Sequence, residues 1–350
     1  MGQPSSYAEA GVDVQEVKLR QKEIAKILFR TFKQREGKQG AVIQKIGHYA
    51  GLIDIGGGKA LALHVDGVGT KVLVAQMINK FDTVGIDCIA MNVNDIICMG
   101  AEPIAFLDYL AIKKPDQQLI KEITLGLEEG AKRASVAVIG GETAILPELL
   151  SGGETTFDLV GMVVGTVNTD KVITGDAIRQ GDSIIGVNSS GIHSNGLTLA
   201  RKIMFPKYGV NDIIEPLQRS ISEELLEPTN IYVKPVLKIL HKIDGISGLA
   251  HITGGAFSKL TRLIGKKKLG FNLENLPDSP PIFRLLQKEG KISLKGMFNT
   301  FNMGIGLCII TRDKDESEIA KIFKRSGLKA VKIGKITGDH GVSVKGKRIA

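Results

Sequence analysis

Apolar residues recur at helical spacing from Val14 to Phe32, with Lys22, Lys26 and Arg30 between them. This pattern is typical of an amphipathic helix whose charged face is simply solvated. The segment 47–58 that follows is dense in glycine and has the character of a hairpin leading into a strand. The start of the chain therefore predicts a surface helix and then a hairpin.

Apolar runs and helical periods alternate in the segment that follows the hairpin. The apolar runs predict strands, and the periodic segments predict helices. We expect a strand that ends at Asp66, a buried strand at Ile104–Ile112, further strands at Val136–Ile139 and Leu159–Val167, and helices at Thr83–Met99 and Leu119–Ala134.

The segment from Asn168 to Gly181 lacks strong periodicity, which predicts a domain boundary near residue 170. A second alternating series lies beyond it. We expect strands at Asp182–Val187 and Ile305–Ile310, and helices at Leu197–Ile203, Ile231–Leu240 and Glu316–Ser326. The predicted fold class is α/β (mixed α+β), with two α/β domains at residues 1–170 and 171–350.

Composition narrows the class of protein. The chain has 350 residues, 43% apolar and 24% charged, so it is long enough for two cores and is neither disordered nor fibrous. Its net charge of +9 is dispersed, and the densest basic run, Lys266–Lys268, has no stacking aromatics beside it. We therefore expect an anionic small substrate and no nucleic-acid partner.

The cysteines and the lengths of the apolar runs indicate in which cellular compartment the protein lies. Cys88, Cys98 and Cys308 lie in apolar surroundings without metal-ligand spacing, which suggests reduced thiols in a core. The segment Met1–Ser6 has no basic-then-apolar leader pattern, and no apolar run is long enough to span a bilayer. These features predict a cytoplasmic protein that has no membrane partner.

The segment Asp66-Gly67-Val68-Gly69-Thr70-Lys71 combines a carboxylate, two glycines, a hydroxyl and an ammonium directly after an apolar run. Glycine amides approach oxyanions closely, Lys71 offers a positive charge, and Asp66 is a candidate ligand for a divalent cation. The segment matches neither the Walker loop nor the dinucleotide fingerprint, where Val72 occupies the place of the third glycine. A plain turn between a strand and a helix is the alternative.

Three further carboxylates are candidates to share a site with Asp66. Asp108 lies near the end of one predicted strand, and Glu142 follows Gly140-Gly141 after another. Asp95 lies among apolar residues of a predicted helix, where a carboxylate needs a cation or hydrogen-bond donors. Asp66, Asp95 and Glu142 together would provide hard oxygen ligands for Mg²⁺. The alternative is that Asp95 pairs internally and that Glu142 caps a helix.

His193 lies among small polar residues in the predicted loop Ser189–Gly196, which favours contact with a ligand over core packing. It is a candidate to bind phosphate or to donate a proton. The alternative is a histidine whose ring is satisfied by the backbone of its own turn. The sequence shows no histidine–cysteine metal pattern and no arrangement of serine, histidine and aspartate for covalent acyl chemistry, so phosphoryl chemistry fits better.

Ordered segments along nearly the whole chain together resemble the aminoimidazole ribonucleotide synthetase family, the phosphoribosylformylglycinamidine cyclo-ligases of purine biosynthesis. The segments that carry the resemblance are Tyr7–Asp13, Asp66–Lys71, Gly85–Asp95, Gly100–Pro103, Leu107–Tyr109, Gly140–Thr143, Ser189–Gly196, Pro228–Lys234, Ala250–Gly255 and Phe298–Gly306. Their order and spacing make the resemblance specific, although no single segment decides it.

The resemblance implies an ATP-dependent ring closure. The formyl oxygen of formylglycinamidine ribonucleotide is phosphorylated, an internal nitrogen then attacks that carbon, and phosphate leaves, which gives 5-aminoimidazole ribonucleotide. By similarity, Lys71 and His193 are the expected catalytic residues, and Asp66, Asp95 and Glu142 the expected Mg²⁺ ligands. The residues expected at ATP are Asp66, Gly67, Gly69, Thr70, Lys71, Asn92, Asp95, Gly141 and Glu142; those expected at the ribonucleotide are His193, Ser194, Asn195, Thr253, Gly254 and Gly255.

The family likeness further implies a homodimer in which the N-terminal sheets of two subunits form a shared β-barrel, with the ATP cleft near the interface. The N-terminal domain would bind ATP and dimerise, and the C-terminal sheet with flanking helices would complete the cleft. This chain departs from the commoner pattern in two places. Gly47–Leu52 replaces a Gly-Gly-Phe-Gly-type loop, and Ala256 replaces a glycine after Gly254-Gly255.

Two alternatives stay open at the level of sequence. The first is another phosphoryl-transfer enzyme of the same superfamily, such as a thiamine-monophosphate kinase, which would share an aspartate-rich phosphate site. The second is a non-enzymatic protein that binds anions or nucleic acid, an alternative that the positive net charge suggests.

Overall fold

The computed structural model describes residues 9–11 and 14–350 of the chain. Met1–Ser6, which the leader prediction concerns, and part of Tyr7–Asp13 lie outside the described residues. Among the helices in the described part, none combines the length and the apolar character needed to cross a membrane. The fold is mixed α/β and is built on a five-stranded and a seven-stranded sheet, which confirms the predicted fold class.

The helices within the described residues agree with most of the predicted positions. The α-helices are α1 (Val14–Leu28), α2 (Lys71–Ile78), α3 (Asp82–Ile97), α4 (Gln117–Ala134), α5 (Leu197–Met204), α6 (Ile221–Leu226), α7 (Val233–Lys242), α8 (Thr261–Ile264), α9 (Pro281–Gly290), α10 (Leu294–Thr300) and α11 (Glu316–Arg325). Short 3-10 helices occupy Phe29–Arg35, Thr169–Lys171, Ala256–Leu260 and Asp313–Asp315. The first predicted helix thus ends earlier than expected and continues as a 3-10 helix.

The strands form two main sheets and a small hairpin. They are β1 (Gly51–Gly56), β2 (Lys59–Gly67), β3 (Glu102–Ile112), β4 (Ala137–Ile145), β5 (Phe157–Asn168), β6 (Ser183–Asn188), β7 (Ile213–Ile214), β8 (Arg219–Ser220), β9 (Gly248–His251), β10 (Gly270–Leu273), β11 (Ile305–Thr311), β12 (Ala330–Thr337), β13 (Gly341–Val344) and β14 (Lys347–Arg348). The predicted hairpin is confirmed as the antiparallel pair of β1 and β2.

The first sheet has the strand order β1-β2-β5-β3-β4, and only its β3–β4 pair is parallel. Helix α3 packs on one face of this sheet, and α4 packs on α3. Glycines make the contact between the helices close, since a Cβ on Gly85 would lie 2.4 Å from the carbonyl oxygen of Ile123. A larger residue at Gly85 would push α4 away from α3.

The other face of the first sheet is open in the single chain. Along β5 the buried residues Leu159, Gly161 and Val163 alternate with the half-buried residues Val160, Met162 and Val164. Val65 on β2 is 63% exposed, and β4 is exposed along nearly its whole length. The strand predicted at Ile104–Ile112 is confirmed, but its predicted burial is wrong at Ile104 and Tyr109, which are exposed because this face carries no second layer.

The second sheet has the strand order β14-β13-β10-β12-β6-β11-β9. Strand β11, next to the edge strand β9, is buried along its full length between antiparallel β6 and β9. Helix α11 packs on β12 and on α7. This sheet and its flanking helices form the C-terminal half.

Helix α3 joins the two halves, because it contacts β2 and β5 on one side and β9 and α7 on the other. The amide nitrogen of Asn94 donates to the carbonyl oxygen of Asn230 at 2.8 Å, and the backbone N–H of Tyr232 donates to Asn94 Oδ1 at 3.0 Å. We call this contact region of α3 with the C-terminal half the junction. Because α3 belongs to both contact surfaces, the domain limits at residue 170 stay a prediction.

Candidate active site

The Asp66 segment forms a tight corner between β2 and α2. Gly69 has φ +68°, a left-handed conformation that favours glycine, and α2 begins at Lys71. The backbone N–H of Gly67 donates to Asp66 Oδ1 at 2.9 Å, and Thr70 Oγ1 lies 2.9 Å from Thr198 Oγ1 of α5. The corner is therefore a strand–turn–helix connection held against the C-terminal half, while its contact with phosphates stays a prediction.

Lys71 lies inside the protein. Its side chain is fully buried, and Nζ lies 2.7 Å from Asp87 Oδ2 and donates to the backbone oxygen of Glu227 at 2.6 Å. Burial lowers the pKa of Lys71, and the nearby charge of Asp87 opposes that effect. In the single chain the ammonium of Lys71 lies against α3 and Glu227, and so fixes the corner to both halves. The expectation that Lys71 neutralises a phosphate stays a prediction.

Asp95 is the centre of a buried polar cluster at the junction. Its Oδ1 lies 2.7 Å from His251 Nδ1, and its Oδ2 lies 3.5 Å from His64 Nε2. Burial favours the neutral acid, but the hydrogen bond from His251 and the charges of Lys259 and His64 lower the pKa of Asp95 to about 2. Asp95 is therefore an anion held between the two halves.

Asp66 lies close enough to Asp95 for the two charges to interact. Burial raises the pKa of Asp66, and the negative charge of Asp95 raises it further. Asn92 Nδ2 donates to the backbone oxygen of Asp66 at 3.1 Å and so ties β2 to α3. The structure thus brings together three predicted site residues, and two of them are carboxylates whose charges interact.

Glu142 lies on the far edge of the sheet. Asp66 pairs with Gly161, Gly161 with Asp108 and Asp108 with Gly141, so β5 and β3 separate β2 from the strand of Glu142. At the usual spacing of strands, β2 and β4 are about 14 Å apart. Within a single chain, Glu142 therefore lies too far from Asp66 and Asp95 to share a metal ion with them. The described residues contain no group of three or more histidine, cysteine, aspartate or glutamate side chains placed for one metal ion.

His193 is buried and not open to a ligand. It is 2% exposed, its φ is +64°, and Nε2 accepts a hydrogen bond from the backbone N–H of Ser190 at 3.2 Å. Burial lowers its pKa well below the ordinary value, and the charges of His251 and Lys71 lower it further. The ring is therefore neutral, and its turn-backbone contact is the one that the alternative interpretation predicted. Its Nδ1 is buried without a hydrogen-bond partner among the described residues.

The other residues predicted at the ribonucleotide lie on two neighbouring loops. A Cβ on Gly254 would lie 3.6 Å from Asn195 Nδ2, so the loop of His193 meets the loop of Thr253. Ser194 Oγ lies 3.2 Å from Thr229 Oγ1, and Asn195 Oδ1 is buried without a hydrogen-bond partner among the described residues. The structure brings these loops together, and their contact with substrate stays a prediction.

Several residues at the junction were not among the site residues predicted from the sequence. They are Tyr49, His64, Asp87, His251 and Lys259. His64 and His251 flank predicted site segments, and this adjacency was a usable signal. Asp87 gave the same signal as Asp95, since both are aspartates among apolar residues of α3, whereas Lys259 gave none, because its contacts are with residues that the sequence does not mark.

Models of two domains of one protein class match the chain: "AIR synthase related protein, N-terminal domain" over residues 47–167, and "AIR synthase related protein, C-terminal domain" over residues 179–347. Fold and junction thus define an AIR synthase related protein. The chain is 47% identical over 340 residues to the phosphoribosylformylglycinamidine cyclo-ligase of Thermococcus kodakarensis, covering 97% of this chain and 98% of the relative. The chain belongs to the phosphoribosylformylglycinamidine cyclo-ligase family and is an enzyme, as the sequence resemblance predicted.

Two solved structures share the fold at greater distance. Thiamine-monophosphate kinase from Stenotrophomonas maltophilia has a TM-score of 0.65 at 18% identity, with 92% of this chain and 96% of that chain covered. The structure titled AaThiL complexed with AMPPCP and TMP has a TM-score of 0.64 at 19% identity, with 93% and 95% covered. At these identities the likeness concerns the fold alone.

Proposed function

We propose that the junction catalyses the ATP-dependent closure of formylglycinamidine ribonucleotide to 5-aminoimidazole ribonucleotide, with release of ADP and phosphate. The observation that carries this proposal is the Asp66–Asp95 carboxylate pair, which lies where the two halves meet in a chain of this family. Such a reaction belongs to de novo purine biosynthesis and takes place in the cytoplasm.

The carboxylate pair suits Mg²⁺. Burial and the negative charge of Asp95 raise the pKa of Asp66, and a hard divalent cation would stabilise both carboxylates as anions. Mg²⁺ commonly binds one or two carboxylates together with substrate phosphates, so two protein ligands are sufficient. When bound, the ion would neutralise charge on the phosphates of ATP.

The chemistry requires positioning more than covalent assistance from the protein. The formyl oxygen takes the γ-phosphoryl group and ADP leaves; the internal nitrogen then attacks the same carbon, the C–O bond breaks, phosphate leaves and the nitrogen loses a proton. Phosphorylation turns a poor leaving group into a good one, and the protein must hold the reactants in line. The loops of Asn195 and Gly254 are suited to this task because they meet beside the junction.

His193 fits a positioning role better than that of a general acid. A neutral imidazole has no proton of high acidity to donate near pH 7, and the low pKa of His193 keeps it neutral. Its hydrogen bond with Ser190 holds the loop in the left-handed conformation from which Ser194 and Asn195 project. Lys71 has a comparable role on the other side of the junction.

The open sheet face supports a homodimer. It carries Val65, Val160 and Met162 in the single chain, and a second copy of the same apolar face would cover them in a shared barrel. In such a dimer, Glu142 on the exposed edge strand would act from one subunit at the nucleotide of the other. This arrangement reconciles the predicted ATP contacts of Gly141 and Glu142 with their distance from Asp66 within one chain.

The direct test is a turnover assay. The protein is incubated with formylglycinamidine ribonucleotide, ATP and Mg²⁺, and aminoimidazole and ADP are measured together. Asp66→Asn should abolish turnover and leave the fold intact, whereas Asp278→Asn, at an exposed loop position, should match the wild type. Folded wild-type protein that forms no ring product would refute the proposal.

The two alternatives make different predictions in parallel assays. Phosphorylation of thiamine monophosphate without ring closure would favour the kinase, whose fold is shared. Salt-dependent binding of oligonucleotides that Asp66→Asn leaves unchanged would favour a nucleic-acid binder.

A further inference from the structure

A cavity of about 900 Å³ lies where three segments of the chain meet. The segments are residues 43–52 of the N-terminal half, residues 169–176 between β5 and β6, and residues 262–267 of the C-terminal half. We call it the basic cavity. None of the described residues that line it is among those expected at ATP or at the ribonucleotide, so the proposed reaction gives this cavity no role.

Positive side chains outnumber negative ones in the lining of the basic cavity. Its lysines and arginine are Lys45, Arg262, Lys266 and Lys267, and Asp176 is the one carboxylate among the described lining residues. Asp176 Oδ1 lies 3.5 Å from Lys267 Nζ, so these two charges balance. The ion pairs of the described residues include none of the other three cations, which therefore line the cavity without a countercharge. An anion in the cavity would relieve their mutual repulsion.

Hydrogen bonds between the segments hold the walls of the basic cavity together. His48 Nε2 donates to the backbone oxygen of Thr174 at 3.2 Å. Lys267 Nζ donates to the backbone oxygens of Gly175 and Asp176 at 3.1 and 2.7 Å. The positive charges thus stand around a cavity whose walls are already joined, and a preformed cavity binds a ligand at a lower entropic cost.

The basic cavity also has an apolar floor and a neutral imidazole. Leu52, Leu263 and Ile264 are buried residues of its lining. Burial lowers the pKa of His48, so its ring is neutral near pH 7. Because Nε2 holds the proton that goes to Thr174, Nδ1 is an acceptor, and it has no hydrogen-bond partner among the described residues. A ribonucleotide matches this lining, since it has a phosphate for the cations, a flat ring for the floor and hydroxyl donors.

Two sequence features that the proposed reaction leaves unused meet in the basic cavity. His48 belongs to Gly47–Leu52, which departs from the family's glycine-rich pattern, and Lys266–Lys268 is the densest basic run of the chain. The ring centres of His48 and Tyr49 are 5.5 Å apart, and Arg262 lies 5.9 Å from the centre of the Tyr49 ring. The cavity therefore adjoins the junction through Tyr49, while the carboxylate pair is not part of its lining.

We propose that the basic cavity is a second binding site, which takes a small ribonucleotide by its phosphate and is separate from the site of ATP. Lys45, Arg262 and Lys266 bind the phosphate, because hydrogen bonds between charged groups are the strong ones. The base lies on the apolar floor. Since the two sites share no lining residue, both are occupied at once.

The experiment measures the binding of AMP by isothermal titration calorimetry to protein already saturated with Mg²⁺ and the analogue AMPPCP. Wild type should bind AMP at one site per chain and adenosine, which lacks the phosphate, far more weakly. AMP should bind about tenfold more weakly to Lys266→Gln and to Arg262→Gln, and about a hundredfold more weakly to Lys45→Gln/Lys266→Gln. Lys295→Gln, the same change of charge at an exposed position of α10, should match the wild type.

The result that would overturn the proposal takes one of three forms. Folded wild type binds no AMP, AMP and adenosine bind equally well, or the lysine variants bind AMP as wild type does. Displacement of AMP by Mg²⁺ and AMPPCP would overturn the separateness of the site. Lys45 and Lys266 are exposed, so their replacement leaves the core intact, which circular dichroism verifies.

A turnover assay without AMP keeps this inference apart from the proposed function. Lys45→Gln/Lys266→Gln should close the ring at the wild-type rate, and loss of turnover would make the cavity part of the catalytic site, against the proposal. If wild type itself forms no ring product, the proposed function fails, while the binding of AMP still decides the role of the basic cavity.

Discussion

Lys71 Nζ lies 2.7 Å from Asp87 Oδ2, and neither side chain is exposed to solvent. Removing one partner would leave a buried charge without compensation, which typically costs about 3–5 kcal/mol. We therefore expect Lys71→Met and Asp87→Asn each to lower the free energy of unfolding strongly in urea denaturation.

A matched comparison uses the exposed pair of Lys132 and Glu128 on α4. Lys132→Met should leave the urea midpoint unchanged, because exposed ion pairs contribute little. The double variant Lys71→Met/Asp87→Asn should recover part of the loss, because it removes both charges and keeps an oxygen at position 87 for the hydrogen bonds from Thr229. If Lys71→Met is as stable as Lys132→Met, the buried pair does not hold the corner.

The low pKa of His193 predicts a pH dependence of stability. In the unfolded chain the ring binds a proton near its ordinary pKa of 6.5, whereas in the folded chain it stays neutral well below that pH. The unfolded state then binds more protons, so stability is lost as the pH falls below 6.5, by about 1.4 kcal/mol per pH unit.

His193→Asn should reduce this slope, since asparagine has no proton to gain and tolerates the left-handed backbone at φ +64°. Urea unfolding of both proteins at several pH values between 7 and 5 measures the two slopes. Identical slopes would show that His193 is not kept neutral.

Ala256 has φ +42°, a left-handed conformation that disfavours a residue with a Cβ. Ala256→Gly removes that strain, worth about 1–2 kcal/mol, and loses about 0.4–1 kcal/mol through a freer unfolded chain. We expect a net gain of between zero and about 1.6 kcal/mol, seen as a higher melting temperature. Ala250→Gly, in buried β9, should lower the melting temperature; a similar loss in Ala256→Gly would contradict the strain.

The open face predicts the effect of a charge on assembly. Val65 is 63% exposed in the single chain, and a lysine there would be buried without a partner in the proposed dimer. Val65→Lys should shift the molar mass measured by light scattering from dimer to monomer. Ile213→Lys, at a 76% exposed position of the C-terminal half, should leave the mass unchanged. A Val65→Lys protein that stays dimeric would exclude this face from the interface.

The positions of helices and strands could be predicted from the sequence better than the burial of their faces. Helix α3 has a clear apolar period, and the structure has it at Asp82–Ile97, close to the predicted Thr83–Met99. Strand β3 is also confirmed, but its predicted burial is wrong at two positions, because burial depends on a second layer that this sheet face lacks in the single chain. Helix α10 was missed because its seven residues give no sustained period. Helix α9 was also missed, although it is as long as the predicted helix α11.

For the site, the carboxylates were predicted more successfully than the cations. An aspartate in an apolar helix stands out in a sequence, and Asp95 does form the centre of the polar cluster. Lysines are common on surfaces, so nothing in the sequence distinguishes buried Lys71 from an exposed lysine, or marks Lys259 as a neighbour of Thr253 and Tyr49 at the junction. Such roles arise from contacts between residues far apart in the chain.

Helix α3 couples the folding of the two halves, so that they fold as one cooperative unit. Its buried polar side chains find their partners in the C-terminal half, in the pairs Asp87–Thr229, Asn94–Asn230 and Asp95–His251. A chain cut near residue 170 would expose these groups to water or bury them unsatisfied, and in either case the N-terminal half would lose the contacts that shape its helix. The Asp66–Asp95 pair lies on this helix and the strand beneath it, so a partly folded molecule would contain both carboxylates but not the junction at which we propose the reaction.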